Sequence, residues 1–245
     1  MSDWDLIVGT CDGVDVMTTG LTVFGPMVQR SSEWLEARRG MVTASIVGKL
    51  ITPTLRVADN DTSRAVVASL AAERVSGWVD ETPMSFDMAR GVEDEPLAVA
   101  AYEGHRLVTV EPCGFMVRDL GGARLGYSPD GLVGTDGLVE VKCRRPKRHV
   151  ADAVSGVIPS EHQAQIQAGL LVSGRAWCDY VSFSDGLHLW IARAYSVPHW
   201  QDAIREAVAA AEERITDTVT AYLTAVDGFP LTERSPFRLT DMIEV

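Results

Sequence analysis

Cysteine is scarce in this sequence, and the spacing of the few cysteines argues against a metal or cluster site built on them. They are Cys11, Cys113, Cys143 and Cys178. None belongs to a Cys-x-x-Cys pair, and none has a neighbouring histidine at the spacing of a zinc site. We therefore expect reduced thiols that are mostly buried, and no structural zinc or iron–sulfur cluster.

Long hydrophobic runs are absent as well. No apolar stretch approaches the roughly 18 consecutive residues of a membrane-spanning helix. The first ten residues, MSDWDLIVGT, carry acids where a secretory signal would carry lysine or arginine. We expect a soluble cytoplasmic protein with no membrane partner. Its 245 residues, 46% of them hydrophobic, suffice for one large domain.

Basic residues are outnumbered, since 22 Lys and Arg face 34 Asp and Glu, for a net charge of −12. This balance argues at first against nucleic acid as a partner. The acids are concentrated at the two ends, however, so residues 30–200 carry a net charge of only −3. A basic run lies in this middle part and consists of Lys142, Arg144, Arg145, Lys147 and Arg148. Such a run is either a solvated surface or a binding patch.

Capping residues, glycine and proline breakers and apolar periodicity predict a mixture of helices and strands. Helices are expected over 33–39 with Ser32 as cap, 44–50 with Thr43 as cap, 63–75, 86–103, 161–173 and 199–226. Pro96 is expected to kink the fourth of these or to begin a new helix. Strands are expected over 107–110, 114–117, 125–133, 138–143, 177–183 and 188–195. The predicted fold is α/β or mixed α+β, with a central mixed β-sheet flanked by helices.

Residues 128–143, SPDGLVGTDGLVEVKC, have the pattern of a β-hairpin but carry an unusual set of charges. Valines and leucines flank an Asp-Gly turn signal. Because side chains alternate along a strand, Glu140 and Lys142 point to the same face as Leu138. Charged side chains are expected in such a hairpin only on a solvated face. The presence of Asp130, Glu140 and Lys142 therefore needs an explanation.

The position of Asp130 relative to Glu140 depends on the turn. A three-residue loop over 135–137, with Gly137 in the left-handed conformation, places Asp130 opposite Lys142 and diagonal to Glu140. Diagonal neighbours are about 7 to 8 Å apart, close enough for two carboxylates to share one cation. A two-residue loop would instead put Asp130 on the far face.

Two carboxylates on one partly buried face repel each other unless a positive group joins them. Mg²⁺ fits, because it commonly takes one or two carboxylates and keeps water, and the Val141 carbonyl could add a ligand. Beside such a cation, the pKa of Lys142 would be lowered and its amine could orient or deprotonate a water molecule. The alternative is that Asp130 closes a turn while Glu140 and Lys142 form exposed cross-strand pairs.

Five segments of the chain, taken in order, resemble a known family of nucleases. WLEARRGMVTAS (34–45), GVEDEP (91–96) and HQAQIQ (162–167), with SPDG and LVEVKC of the hairpin, are similar to the YqaJ-like, phage lambda exonuclease family of the PD-(D/E)xK nuclease superfamily. The joint order of these segments is more specific than any one of them. The resemblance implies a restriction-endonuclease-like core and a phage or prophage enzyme that digests duplex DNA from its 5′ ends during recombination.

The resemblance also implies a domain organisation. We expect one nuclease domain over 1–245, with a family-like core over about 31–200, an N-terminal extension over 1–30 and a C-terminal helix and tail over 199–245. The extension, the acidic charge and the last 70 residues are not explained by the motifs.

The resemblance assigns roles to individual side chains. It implies that Asp130 and Glu140 are the metal-binding carboxylates, that Lys142 is the catalytic lysine and that Glu95 is a further acid at the metal. Gln165 would lie beside the catalytic centre. The 5′ phosphate would be held by Arg38, Ser45 and Ser128, together with the amides at the start of the helix capped by Thr43.

Several of these residues could instead have purely structural roles. Arg38 could be a surface arginine, and Thr43 and Ser45 could serve only to cap a helix. Glu95 belongs to an acidic run with Glu93 and Asp94, which the sequence alone does not separate. Gln165 could be a core amide bonded to the backbone.

The resemblance therefore implies a Mg²⁺-dependent, or Mn²⁺-dependent, 5′-to-3′ exonuclease acting on double-stranded DNA in the host cytoplasm. The basic run Arg144, Arg145, Lys147 and Arg148 would guide the DNA backbone. Expected partners are DNA ends, a single-strand annealing protein and further copies of the chain, because family members can form trimeric rings. An endonuclease with the same metal chemistry, and an inactive protein that binds DNA ends, are the alternatives.

Overall fold

The computed structural model describes residues 20–25, 27–79 and 85–234. Most of the predicted N-terminal extension (1–19), Cys11 and the end of the predicted tail (235–245) lie outside the described residues. The helices are α1 (Ser32–Arg38), α2 (Ala44–Val47), α3 (Asp61–Ser76), α4 (Phe86–Arg106), α5 (Pro146–Ser155), α6 (Ser160–Ser173) and α7 (Pro198–Ala225). The strands are β1 (Leu21–Val23), β2 (Val42–Thr43), β3 (Val110–Glu111), β4 (Met116–Asp119), β5 (Arg124–Tyr127), β6 (Gly131–Val133), β7 (Gly137–Cys143), β8 (Trp177–Phe183) and β9 (Trp190–Tyr195).

The strands form two mixed sheets rather than one central sheet. One has the order β1-β4-β5-β2 and the other the order β3-β6-β7-β8-β9. Each contains one parallel pair, β2 with β5 and β7 with β8, and its other pairs are antiparallel. The predicted mixed fold with flanking helices is confirmed.

The single strand predicted over 125–133 is wrong, because the chain breaks at Ser128-Pro129-Asp130 and passes from one sheet to the other. β5 ends at Tyr127 in the first sheet, and β6 begins at Gly131 in the second. A proline has no N–H to donate to a strand ladder, which favours a break at this place. Ser128 and Asp130 therefore lie where the two sheets meet.

The predicted hairpin loop is also wrong. Val133 pairs with Gly137, so the loop is 134–136, and Gly134 rather than Gly137 has a positive φ, of 53°. Gly137 instead allows a close approach, because an added Cβ would lie 2.2 Å from the Trp177 ring. The register, extended by one residue, puts Asp130 opposite Glu140. A shift of two residues keeps Asp130 on the predicted face.

The two faces of β7 pack against different parts of the protein, as the alternation predicts. Leu138 is fully buried in the main core, which includes most of the apolar residues of α6. Val139 and Val141 point the other way and pack with Ala98 and Tyr102 of α4. The strand is thus buried on both faces, and Glu140 is carried into the interior.

Several helix bounds differ from those predicted. α4 continues through Pro96 without a break, so no new helix begins there. The cap of α1 is Ser31 rather than Ser32, since the Ser31 Oγ accepts from the Trp34 N–H at 3.2 Å. α5 was not predicted. It begins at Pro146, inside the basic run, where a proline suits the first helical turn.

The cysteines of the described segments are free. Cys178 is buried, while Cys113 and Cys143 are half-buried. In the same segments, no helix is both long and apolar enough to cross a membrane.

Candidate active site

Glu140 is the centre of a buried hydrogen-bond cluster. Its side chain is fully buried on β7. Its Oε1 accepts from the Lys142 ammonium at 2.5 Å and from the Gln165 amide of α6 at 2.5 Å, and its Oε2 lies 3.4 Å from the Tyr127 hydroxyl. A buried carboxylate is tolerated only with such donors. Sequence and fold together therefore join three of the residues predicted to act in catalysis.

Asp130 lies beside this cluster. It is half-buried, and its Oδ2 accepts from the Val141 N–H at 2.7 Å. Burial raises the pKa of Asp130 well above its ordinary value, the Glu140 carboxylate raises it further, and Lys142 opposes the rise. Because the Glu140 carboxylate disfavours the charge of Asp130, the place between them favours a cation.

Lys142 is held in its charged form by the protein. Burial alone would lower its pKa, but Glu140 and Asp130 raise it, and the net pKa is above the ordinary value. The sequence predicted a lowered pKa, on the assumption of a cation beside the amine. The carboxylates of the protein produce the opposite shift, so the geometry favours Lys142 as a hydrogen-bond donor rather than a base.

Glu95, in the acidic run of α4, is electrostatically coupled to the cluster. Glu93 is exposed, and Asp94 forms an ion pair with Arg90 at 3.2 Å. Glu95 is half-buried. Burial raises its pKa, Lys142 lowers it and Glu140 raises it again. Its charge is therefore coupled to both residues across the sheet.

The donor set fits Mg²⁺ as a site with two principal carboxylates. In the described part of the chain, no group of three or more His, Cys, Asp and Glu residues is arranged to hold a metal ion. Mg²⁺ commonly needs only one or two carboxylates, because waters and substrate phosphate complete its shell. Asp130 and Glu140 supply hard oxygen donors of this kind. Val141 contributes its N–H to Asp130, and its predicted use of the carbonyl remains a prediction.

The residues predicted to hold a phosphate make two separate sets of contacts. The Trp34 indole N–H donates to the Ser128 hydroxyl at 2.8 Å, and the Arg38 guanidinium lies over the Trp34 ring at 4.3 Å from its centre. The hydroxyls of Thr43 and Ser45 are 3.2 Å apart. Trp34 was missed as a functional residue, although it is the first letter of the matching segment at 34–45.

Arg38 is half-buried, and its positive charge is available to an anionic ligand. Burial lowers its pKa, Glu73 raises it and Arg30 lowers it. Among the described residues Arg38 forms no ion pair, and its ring contact with Trp34 holds it in place. Because α2 has only four residues, the predicted help from its helix start is small, and Arg38 and the hydroxyls must bind most of the charge.

The basic run is partly neutralised by the protein itself. Arg144 points inward and bonds to Asp152 and Glu161, each at 2.9 Å, while Arg145 bonds to Asp87 at 2.8 Å. These pairs hold α4, α5 and α6 together. Lys147 and Arg148 lie on the exposed first turn of α5, where Arg148 also approaches Glu161 at 3.7 Å.

Comparisons with known proteins place the chain in a family. The model of the YqaJ-like viral recombinase domain matches residues 33–176. The crystal structure of an alkaline exonuclease (LHK-Exo) from Laribacter hongkongensis is 29% identical, with a TM-score of 0.72, over 82% of this chain and 100% of that one. The same enzyme in complex with dAMP gives a TM-score of 0.73 at the same identity and coverage.

A more distant structure supports the fold only. A phage-related exonuclease from Haemophilus somnus 129PT is 12% identical, with a TM-score of 0.56, over 74% of this chain and 96% of that one. A comparison with curated protein sequences finds no match.

Proposed function

The chain belongs to the YqaJ-like viral recombinase domain family, and on that premise we propose that it is a metal-dependent deoxyribonuclease that digests double-stranded DNA from 5′ to 3′. The similar alkaline exonuclease supports a nuclease at 29% identity over its whole length. The polarity, the duplex specificity and the metal are parts of the proposal. Recombination-type end resection is the role that follows, with a 3′ single strand as the product.

The observation that carries the proposal is the cluster around the buried Glu140 carboxylate. Lys142 and Gln165 both donate to Glu140, and Asp130 lies beside it with a raised pKa. A purely structural carboxylate would not require a second acid at its side. This arrangement of two acids and a lysine suits the hydrolysis of a phosphodiester.

Each residue has a role in the proposed reaction. Asp130 and Glu140 would hold Mg²⁺ or Mn²⁺, with Glu95 and the Val141 carbonyl as further oxygen donors. A bound divalent ion supplies Lewis acidity and lowers the pKa of water. The Lys142 ammonium orients the attacking water and stabilises charge on the phosphate.

Gln165 fixes the direction of the Glu140 carboxylate, because its amide donates to the same oxygen that Lys142 uses. Without that bond, the carboxylate would have one buried donor fewer to hold its orientation. We therefore propose that Gln165 acts at the reacting centre through Glu140.

The end of the DNA strand would be recognised by a pocket that Arg38, Thr43, Ser45 and Ser128 would form around a 5′ phosphate. Trp34 positions two of these residues, one through its N–H and one through its ring. The exposed Lys147 and Arg148 would guide the backbone, with Arg144 and Arg145 mainly joining helices.

Assembly and location complete the proposal. Further copies of the chain, arranged as a trimeric ring, would encircle the duplex. A single-strand annealing protein would receive the exposed 3′ strand in the cytoplasm of a bacterial host.

The test is digestion of a linear duplex labelled separately on each strand, with Mg²⁺ or with EDTA. We expect shortening from the 5′ end in Mg²⁺ only, faster on 5′-phosphorylated than on 5′-hydroxyl ends. Covalently closed circular DNA should remain intact. Cutting of the circle would replace the exonuclease with an endonuclease, and the absence of any cutting would contradict the proposal.

Replacement of Arg38 by glutamine is expected to remove the preference for 5′-phosphorylated ends. A charge-assisted hydrogen bond contributes about 1.5 to 3 kcal/mol, or about 10- to 100-fold in rate at low end concentration. Rates on phosphorylated and hydroxyl ends measure the preference. Arg64→Gln, on the exposed face of α3, is the matched control, and an unchanged preference in Arg38→Gln would exclude this pocket.

Replacement of Glu95 by glutamine is expected to lower the digestion rate by about tenfold or more, because the proposed metal site loses one negatively charged oxygen donor. Glu93→Gln removes the same charge from the exposed side of the same helix and should have no effect. Equal rates in the two variants would show that Glu95 takes no part in the reaction.

A further inference from the structure

Two enclosed polar atoms near the cluster lack a hydrogen-bond partner. In the described residues they are the Tyr180 hydroxyl and the His162 Nε2. A buried polar group without a partner costs free energy, and native proteins contain few of them. A pair of such atoms beside a proposed reaction centre therefore suggests a use in a later state of the site.

Tyr180 lies directly beside the Glu140–Lys142 pair. In the parallel pairing of β7 and β8, Tyr180 is the partner of Glu140, and Ser182 is the partner of Lys142. Residues paired in this way project to the same face of a sheet, and neighbouring strands are about 4.8 Å apart. The fully buried phenol thus shares the interior face with the ammonium.

The phenol ring is held firmly by two other rings. His162, on the first turn of α6, stacks on Tyr180 with ring centres 5.5 Å apart and an angle of 30°. Trp190 of β9 meets it edge-on at 5.9 Å and 69°. The direction of the Tyr180 hydroxyl is therefore fixed by packing. His162 precedes Gln165 by one helical turn, so the same face of α6 holds both the ring and Glu140.

Electrostatic coupling supports this placement. Burial raises the pKa of Tyr180, and Arg144 and, to a smaller extent, Lys142 oppose the rise. Burial lowers the pKa of His162 to about 4, with Lys142 and Arg144 adding to the effect. The carboxylates of Glu161 and Asp152 also act on both rings. Of the charges that act on the two rings, Lys142 is the one that belongs to the proposed reaction centre.

Lys142 has unused donors. An ammonium carries three N–H groups, and within the described segments Lys142 donates one hydrogen bond, to Glu140 Oε1. A metal ion bound to the Glu140 carboxylate would make that carboxylate a weaker hydrogen-bond acceptor for Lys142. A second acceptor would then keep the ammonium in place.

We propose that Tyr180 is a positioning residue, whose hydroxyl becomes the acceptor for the Lys142 ammonium when the Glu140 carboxylate is engaged elsewhere. His162 holds the phenol ring in the required direction. The catalytic consequence rests on the proposed nuclease function. The ability of the Tyr180 hydroxyl to accept from Lys142 once Glu140 is unavailable is tested without metal or DNA.

The first test is a double-mutant cycle on thermal unfolding in metal-free buffer. In the wild-type background, Tyr180→Phe removes an unpartnered hydroxyl and should leave the midpoint unchanged or raise it. In a Glu140→Leu background, where the first acceptor is gone, the same change should lower the midpoint by about 2 to 4 °C. Glu140→Ala, which also lacks an acceptor, is the alternative background if Glu140→Leu does not fold.

Equal shifts of the midpoint in both backgrounds would overturn the proposal. Tyr195→Phe, an exposed tyrosine of β9, is the matched control and should shift neither background.

The second test separates the turnover number from binding. Tyr180→Phe should lower kcat by about tenfold, the effect of one hydrogen bond in the transition state, with the KM for DNA ends unchanged. An unchanged kcat would overturn the positioning role. Failure of the wild type to digest DNA would contradict the proposed function instead, and the unfolding cycle would still decide whether Tyr180 accepts from Lys142.

Discussion

Replacement of Lys142 by methionine should reduce the digestion of linear duplex by about a hundred- to a thousandfold while binding of DNA ends is retained. The ammonium is the only donor of the cluster that is both charged and partly exposed, with 25% of its side chain accessible. Loss of a charged donor aimed at the transition state typically costs about 2.7 to 4 kcal/mol, which corresponds to this factor. Single-turnover digestion and fluorescence anisotropy measure the two quantities.

The matched control is Lys147→Met, which removes an exposed lysine from the first turn of α5. Digestion by this variant should stay within a few-fold of wild type at low salt. Lys142→Gln keeps a donor without charge and covers the case in which methionine disturbs folding. Full activity in Lys142→Met would remove the lysine from the mechanism.

Replacement of Asp130 by asparagine should abolish digestion and at the same time stabilise the metal-free protein at neutral pH. In the folded protein, burial and Glu140 raise the pKa of Asp130, so ionisation opposes folding. Asparagine has nearly the same shape, keeps an acceptor for the Val141 N–H and carries no charge. We expect a gain of about 1 kcal/mol or more in the free energy of unfolding.

The sign of the pH dependence follows from the raised pKa. The folded state holds the Asp130 proton more tightly than the unfolded state, so ionised Asp130 destabilises the fold at neutral pH. This cost disappears as the pH falls through the raised pKa, and below the ordinary pKa both states are protonated. The advantage of Asp130→Asn should therefore shrink as the pH falls from 7 towards 4, as urea unfolding at several pH values will show.

The control for this prediction is Asp136→Asn, in the hairpin loop. It should change the stability little, because the Asp136 side chain is exposed. If Asp130→Asn were less stable than the wild type at neutral pH, attraction to Lys142 would outweigh the cost of burial and of repulsion by Glu140, and the prediction would be wrong.

The sequence predicts the features of the site that depend on local periodicity. Alternation along β7 places Glu140 and Lys142 on one face, and the structure joins them by a 2.5 Å bond. The helix around Gln165 ends at Gly174 as expected, because glycine takes the left-handed conformation there. These features are decided within a few residues.

The features that the sequence misses depend on distant partners. The hairpin register is set in part by Gly137 packing against Trp177, forty residues away. Arg144 is turned inward by Asp152 and Glu161, which the sequence shows only as separate acids. The split of the strand over 125–133 joins two sheets, and no local pattern indicates which sheet each half will enter.

The roles of aromatic residues are the least visible from the sequence. Trp34 and Tyr127 each form a hydrogen bond with a predicted site residue. In the sequence alone, however, they look like ordinary core aromatics. Only their hydrogen bonds, known from the fold, distinguish them. The similarity of the segment at 34–45 to a family is the one signal that draws attention to Trp34.

The most direct measurement of the central claim is the unfolding midpoint as a function of Mg²⁺ concentration, for the wild type, Asp130→Asn and Glu140→Gln. A ligand that binds only the folded protein raises its midpoint. We expect a rise of a few degrees in the wild type at millimolar Mg²⁺ and none in either variant. An equal rise in all three proteins would show that Asp130 and Glu140 do not hold the ion.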